Sequence, residues 1–494
     1  MTRNAATPPA SAAALSDRRA PLTSRTKFGY AAGQLIDGVV NNTLSVFLLF
    51  YVTTVCGVSG ALAGAALSVG IIVDAVMDPA IGELSDSWHS RLGRRLPFML
   101  IGLIPIALTF VLIFMLPSGL APGMLFAWLT VLSIILRVST SLFILPYQAV
   151  GAELSDDYDE RSSIMAWRWG VGMIGAVIAV VLGFGVFFTG HDGLSRRAAY
   201  PPFALVLAVI FLLGGLTAAR TTYKVRERLH TPSESGGWLG KRMLRGILEA
   251  FRNRSFRILF IGALLFFIAL GTNNSLALHA NTFFWHLTGP QTQLVTLALF
   301  AGLLAGAPLA GPFLARMEKA TVLMVGMVGL LIAQGGPVLL RMLHLLPWVG
   351  APLAWLLAGV MFLGGVLMAT AAIAFSSMMA DAADEHEVLF GARREGLYFA
   401  GFGFAGKAAS GVGALIGGVA LDVLKFPHDA GHAGAAMSPA TLDGLILAWG
   451  PLPAVLIAIG MVMSWRYGIN RRRHDLITAE LKARHRAVEP APAE

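Results

Sequence analysis

The chain is 494 residues long, 56% hydrophobic and 13% charged, with a mean hydropathy of +0.70. Soluble domains carry about 25% charged residues, so a water-soluble globular fold is excluded and an all-α membrane protein is expected. The net charge of +9 fits basic loops on one side of a membrane, not nucleic-acid binding, and the single cysteine, Cys56, rules out an intrachain disulfide and a cysteine-based metal site.

Residues 1–26, rich in Ala, Pro and Ser and lacking an apolar h-region, read as a disordered cytoplasmic tail and not as a cleaved signal. Apolar runs follow near 28–53, 59–84, 96–116, 123–150, 164–188 and 202–219. A second set lies near 256–281, 292–315, 320–342, 349–380, 397–424 and 442–466. Each is at least about 17 residues long, so twelve transmembrane helices are expected. They divide into one six-helix bundle over 27–220 and another over 256–467. The cytoplasmic linker between them, 221–255, holds a Pro-Ser-Gly stretch from Pro232 to Gly237 and an amphipathic segment from Trp238 to Phe251. A basic cytoplasmic tail closes the chain at 468–494. Most of the 37 Lys and Arg fall in the two tails and in the even-to-odd connections, which places both termini in the cytoplasm. Two facing bundles hold a substrate near the membrane midplane and expose it alternately to each side.

On the first span Gln34, Asp37, Asn41 and Ser45 form a polar stripe. Helix–helix hydrogen bonding, worth about 1 kcal/mol, is the plain reading of Gln34, Asn41 and Ser45; Asp37 is a candidate to line a cavity, and Asn41, on its face, a candidate with it. On the second span Asp74 and Asp78 stand at i and i+4, sharing one helical face. Two such carboxylates resist being charged together at bilayer depth until a proton or cation arrives, which points to ion-coupled transport. In the following loop Asp86 can pair with Arg94 and Arg95 as a conformational latch, and the acidic run from Asp156 to Glu160 before Arg161 reads the same way.

The fourth span carries Arg137, Ser141, Ile144 and Gln148 on the face expected to look toward the aspartates. Arg137 there can pair with Asp74 or Asp78 as a built-in cation, weakening Na+ binding in favour of H+ coupling, or neutralising one aspartate in a uniporter. On the seventh span Asn274 and Asn281 are candidates to line the cavity, and His279 reads as a hydrogen-bonded structural residue. Asp381, Asp384, Glu385 and Glu387, close to Arg393 and Arg394, form a salt-bridge network and not a metal site. With no nucleophile–base set, no metal-ligand spacing and no phosphate-binding Gly-x-x-x-x-Gly-Lys loop, neither an enzyme nor a nucleotide-driven pump is expected.

The segment from Gly82 to Asp86 and on to Arg91-Leu92-Gly93-Arg94-Arg95 resembles the signature loop of the major facilitator superfamily. Phe28-Gly29-Tyr30, Asp74-Ala75-Val76-Met77-Asp78-Pro79, Leu145-Pro146-Tyr147, Asp157-Tyr158-Asp159-Glu160-Arg161 and Arg393-Arg394-Glu395-Gly396-Leu397-Tyr398 follow in order, then Lys407. Together, over nearly all of 27–465, they are similar to the glycoside-pentoside-hexuronide:cation symporters of that superfamily. The resemblance implies a cation site at Asp74 and Asp78 with Ser141 as its hydroxyl, Lys407 beside it, and Arg168 near the substrate. Where the family has an Asn ligand this chain has Met77, and the family's fourth-helix acid and Trp are replaced by Ile144 and Gln148. Embedded charges then stand at three and three: Asp37, Asp74 and Asp78 against Arg137, Arg168 and Lys407, a balance that favours an anionic or zwitterionic substrate once one proton is loaded.

The expected protein is therefore a monomeric transporter in a bacterial cytoplasmic (inner) membrane, moving a sugar, glycoside or sugar acid with H+ or Na+ and no other cofactor. A lysolipid carrier of the related branch, or a non-transporting sensor on the same scaffold, is the alternative.

Overall fold

A computed structural model describes residues 21–190, 192–226, 229, 249–391, 395–427 and 437–488. All the regular secondary structure among these residues is helical. Helices α1 (Ser24–Ala31) and α2 (Gln34–Thr43) lead into two π-helical turns, Leu44–Leu48 and Tyr51–Val55. Then come α3 (Gly60–Ser87), α4 (Leu96–Ile113), α5 (Pro122–Glu153), α6 (Tyr158–Leu182) and α7 (Tyr200–Lys224). The rest of the chain forms α8 (Arg254–His279), α9 (Gly289–Arg316), α10 (Lys319–Met342), α11 (Gly350–Phe390) and α12 (Glu395–Val423). Last are α13 (Pro439–Trp449), α14 (Pro451–Trp465) and α15 (Arg471–Val488).

Eleven of these segments are long and apolar enough to cross a membrane. The expected first span, 28–53, is helical as well, but a turn at Ala32–Gly33 and the two π-helical turns interrupt it. The expected last span, 442–466, is split at Gly450 because Pro451 has no N–H to continue the ladder. Polar side chains fix the starts: Ser59 caps α3, Asp157 caps α6 and Asn253 caps α8. At 41 residues α11 is about 60 Å long, twice the hydrocarbon thickness, so it outruns the expected span 349–380 and carries Asp381 to Glu387 beyond it. Large side chains such as Ile104, Trp355 and Val455 are more than half exposed, a liability in water but the natural surface in lipid.

Neighbouring helices pack in the order α3, α5, α4, α7, α2, α6, then α9, α11, α10, α14, α8, α12, and the ring closes where α12 meets α3. Glycines permit the closest approaches. A Cβ at Gly60 or Gly418 would collide with the other's carbonyl oxygen where α3 crosses α12, and one at Gly38 would strike the carbonyl of Gly172 on α6. The contact between α3 and α12 runs from this end through Gly64, packed on Ala414 and Leu415, to Ser68, whose hydroxyl donates to Gly411 O at 2.5 Å. Farther along, a Cβ at Gly82 on α3 or at Gly396 or Gly403 on α12 would meet no heavy atom within 4 Å among the described residues.

The tail expected at 468–494 contains a helix. In α15, Arg473 pairs with Glu385 at 2.6 Å, His474 lies 3.4 Å from Asp381, and Ile477 and Leu481 are buried. Most of the expected linker, including its Pro-Ser-Gly stretch and nearly all of its amphipathic segment, lies outside the described residues.

Candidate functional site

Halfway along α3, Asp74 is 4% exposed and Asp78 stands one turn further on. Ser141 on α5 bridges them, its Oγ 2.5 Å from Asp74 Oδ1 and 2.6 Å from Asp78 Oδ1. Lys407 on α12 donates from the other side, to Asp74 Oδ2 at 2.9 Å and to Asp78 Oδ2. All four carboxylate oxygens are thus engaged by one hydroxyl and one ammonium, on three helices. Such an arrangement suits a site that exchanges a resident cation for a proton or metal ion, since two carboxylates leave one negative charge after Lys407 is counted.

Arg137 lies near enough to Asp74 and Asp37 for their charges to act on it, Asp74 first, but not in ion-pair contact with the aspartate pair. Among the described residues it forms no ion pair with Asp74 or Asp78; its Nη1 donates instead to Asn41 Oδ1 at 2.9 Å. The resident cation of the pair is Lys407. From one turn before Ser141 the guanidinium hydrogen-bonds across to α2, while Asp74 of α3 remains the first charge acting on it.

Beside this pair, α2, α5, α6 and α9 enclose a cavity of about 430 Å³, lined by Gln34, Asp37, Asn41, Gln148, Arg168 and Trp169 among others. That volume falls within the range of small-ligand pockets, about 300–1,000 Å³. Its polar groups form one chain of hydrogen bonds. Arg168 Nη2 donates to Gln34 Oε1 at 3.3 Å, and Gln34 Nε2 donates to Asp37 Oδ2 at 2.9 Å. Asn41 Nδ2 donates to Asp37 Oδ1 at 2.6 Å and receives Arg137 on its own oxygen. Each amide turns its oxygen to an arginine and its nitrogen to Asp37, the one orientation that leaves no like poles facing. Arg168 also lies 5.1 Å from the centre of the Tyr147 ring, a cation–π contact, while Tyr147 stacks on Tyr30.

Of the expected cavity residues, Asp37, Asn41, Gln148 and Arg168 therefore come together, and Asn274 does not: it is exposed and absent from the lining. Its neighbour Asn273 turns inward and donates to Trp449 O at 3.0 Å. His279 is fully buried, with Nε2 3.0 Å from Thr53 Oγ1 and its ring among Phe50 and Phe426. Trp169, beside Arg168 and 73% exposed, lines the cavity and was missed, because a Trp beside an Arg in an apolar run has no distinguishing spacing.

The latch expected at Asp86, Arg94 and Arg95 assembles with a further member, Glu153 at the end of α5. Arg95 lies 2.9 Å from Asp86 and 2.8 Å from Glu153, and Arg94 also pairs with Glu153. Arg161 stands apart from it, donating to Ser155 O at 2.6 Å and pairing with Asp156 at 3.3 Å. The acidic cluster of α11 is held by Lys319, 2.8 Å from Asp381, and by α15; Arg393 and Arg394 lie outside the described residues. At the opposite end, Asp422 of α12 accepts from Ser59 Oγ at 2.6 Å, Gly60 N at 2.7 Å and Ala61 N at 3.0 Å, capping α3 from another helix.

A family model described as MFS/sugar transport protein matches residues 29–471. The chain is 25% identical to a glucuronide carrier protein homolog of Escherichia coli (strain K12), over 95% of this chain and 97% of that one. It is also 25% identical to an isoprimeverose transporter of Lactiplantibacillus pentosus, over 93% and 91%. Among solved structures a D-xylose–proton symporter superposes with a TM-score of 0.60 at 14% identity, over 90% of this chain and 98% of that one, a likeness of fold.

Proposed function

The chain belongs to the MFS/sugar transport protein family, whose members are multi-pass membrane transporters and not enzymes, and from that premise we propose that it carries a sugar or sugar acid together with H+ in preference to Na+. One observation carries the choice of ion. Ser141 Oγ lies within hydrogen-bond distance of a carboxylate oxygen of both Asp74 and Asp78, yet a hydroxyl has a single hydrogen to donate. A proton on either carboxyl group would let both contacts be hydrogen bonds at once, which is how the arrangement supports H+ as the coupling ion. Sodium is served less well. Lys407 already holds the remaining two oxygens, and Met77 offers a thioether where a hard cation needs oxygen.

Alternating access follows from the same helices. With the arginine-rich end taken as cytoplasmic, the close packing of α3 on α12 from Gly60 and Gly418 to the level of Asp74 and Lys407 is the contact that closes the outer end in this reading. One proton on the pair cancels the negative charge left after Lys407 is counted, so the site between α3 and α12 becomes neutral before the halves rock. In this reading the protein works in a bacterial cytoplasmic membrane, as a monomer.

Purified full-length protein in proteoliposomes tests the proposal. An inward proton gradient is expected to drive accumulation of a sugar or sugar acid, and a sodium gradient at equal pH is not. Sodium-driven accumulation without proton dependence overturns the choice of ion. Binding of lysolipids with no binding of sugars or sugar acids in a thermal-shift screen overturns the substrate class.

A further inference from the structure

Arg137 stands between the ion site and the cavity and belongs wholly to neither. It is partly buried on α5, one turn before Ser141, whose hydroxyl bridges the aspartate pair, and it is absent from the cavity lining. The charges acting on it are Asp74 of α3 first and Asp37 of α2 second. In the other direction, Arg137 is the first of three cations acting on Asp37, ahead of Lys407 and Arg168. Its hydrogen bond goes to a neutral group: Nη1 donates to Asn41 Oδ1 at 2.9 Å. Asn41 Nδ2 donates in turn to Asp37 Oδ1 at 2.6 Å, and Gln34 Nε2 to the other oxygen of Asp37 at 2.9 Å. Gln34, Asp37 and Asn41 all line the cavity. One guanidinium is thus drawn by an acid of the ion site and by an acid of the cavity, and holds the amide that leads to the second.

We propose that Arg137 is a positioning residue that ties the state of the cavity to the charge of the ion site through Asn41. With both aspartates ionised, Lys407 leaves one negative charge, and Arg137 is pulled toward Asp74 to balance it. One proton on the pair cancels that charge, so the pull from Asp74 weakens while the pull from Asp37 stays. The guanidinium then settles on Asn41. Held at its oxygen by Arg137 and at its nitrogen by Asp37, the amide has one orientation and the cavity wall is set. When Arg137 is drawn back, the oxygen loses its donor and the amide can turn. The structure shows the settled position, together with the Ser141 bridge that supports a proton on the pair. The proposal rests on the proton-symport reading. It differs from a built-in counter-ion, which would neutralise an aspartate and leave the cavity indifferent to the proton. Coupling of this kind is reciprocal, so a solute that holds Asn41 in place favours the protonated pair by the same factor. A side chain with two positions, biased from both ends, is the physical element that such coupling needs.

The test uses full-length protein in proteoliposomes, with glucose, galactose, glucuronate and galacturonate as probes. Accumulation under an inward proton gradient is compared with solute exchange in the absence of a gradient. In the unaltered protein the exchange KM of a transported probe is expected to fall about tenfold from neutral to acid pH. Arg137→Gln keeps an amide donor but not the charge. Its KM should lose that pH dependence, and its accumulation should fall about tenfold more than its exchange. Arg137→Lys, which keeps the charge, should restore part of both. Asn41→Ala should flatten the pH profile in the same way, and the double variant no further, since the two side chains act in one line. An Arg137→Gln carrier that keeps both its accumulation and the pH dependence of KM overturns the proposal and leaves proton symport standing. Equal loss of exchange and accumulation, with the pH profile kept, also overturns it, because a merely structural role gives that result. Failure of the unaltered protein to accumulate any of the four probes under a proton gradient overturns the proton-symport reading and the role of Arg137 with it.

Discussion

Helices α3 and α12 are fastened to each other twice, by opposite means. At one end Asp422 caps the first turn of α3 through a hydroxyl and two backbone N–H groups, over glycines too close to admit a side chain. Midway, Lys407 of α12 holds Asp74 and Asp78 of α3. The first fastening pairs an acid with a helix N-terminus, engages no part of the cavity and does not depend on what is bound. The second joins two carboxylates to one ammonium, so its strength depends on the charge the pair carries. In the proposed cycle the first would define the closed end and the second would answer to the coupling ion.

The largest effect is expected from breaking the second fastening. Asp74→Asn or Asp78→Asn should lower proton-driven accumulation by about two orders of magnitude while sparing downhill exchange, as uptake and counterflow in proteoliposomes would show. If both variants accumulate substrate normally, the coupling site lies elsewhere. Lys407→Ala sharpens the point differently. It leaves the carboxylate oxygens on Lys407's side free, so sodium should raise the melting temperature of this variant by mass action and not that of the unaltered protein. Equal sodium stabilisation of both would show that Lys407 does not guard the site.

At the closed end Gly418→Leu forces a side chain into the Gly60 carbonyl and should hold that end open. Cys56, the single cysteine and partly buried near the same end, reports the change through faster maleimide labelling. A smaller effect of the same sign is expected from Asp422→Ala, since losing a cap costs about 0.5–2 kcal/mol, which corresponds to a several-fold gain in labelling rate. Unchanged labelling in both would mean that this contact does not define the closed state. The smallest effect belongs to Arg473→Ala. Its pair with Glu385 has the arginine more than half exposed, so thermal stability should fall by no more than about 1 kcal/mol.

How much of this was legible beforehand varies with the range of the interaction. Asp74, Asp78 and Ser141 are within reach of a periodicity argument, since i and i+4 spacing places two carboxylates on one face whatever the rest of the chain does. Gln34, Asp37 and Asn41 are legible in the same way, and their mutual bonds are intrahelical. Asp422 carried no signal. It is one acid at the end of a glycine-rich span, and its three partners lie more than 360 residues earlier. Glu153 was overlooked for a similar reason: its arginines lie 59 and 58 residues away, in the connection that leads into α4.

The sequence by itself determined the membrane class, the positions of the apolar helices and the embedding of three acids and three bases, because hydropathy and helical spacing are local properties of the chain. Only the tertiary structure decided how those charges pair. Arg137 is 59 residues from Asp78 and Lys407 is 329, yet Lys407 holds the aspartate and Arg137 turns to Asn41. Partner choice follows from which helices cross and at what level, and close crossing here rests on glycines whose effect appears only when two helices meet.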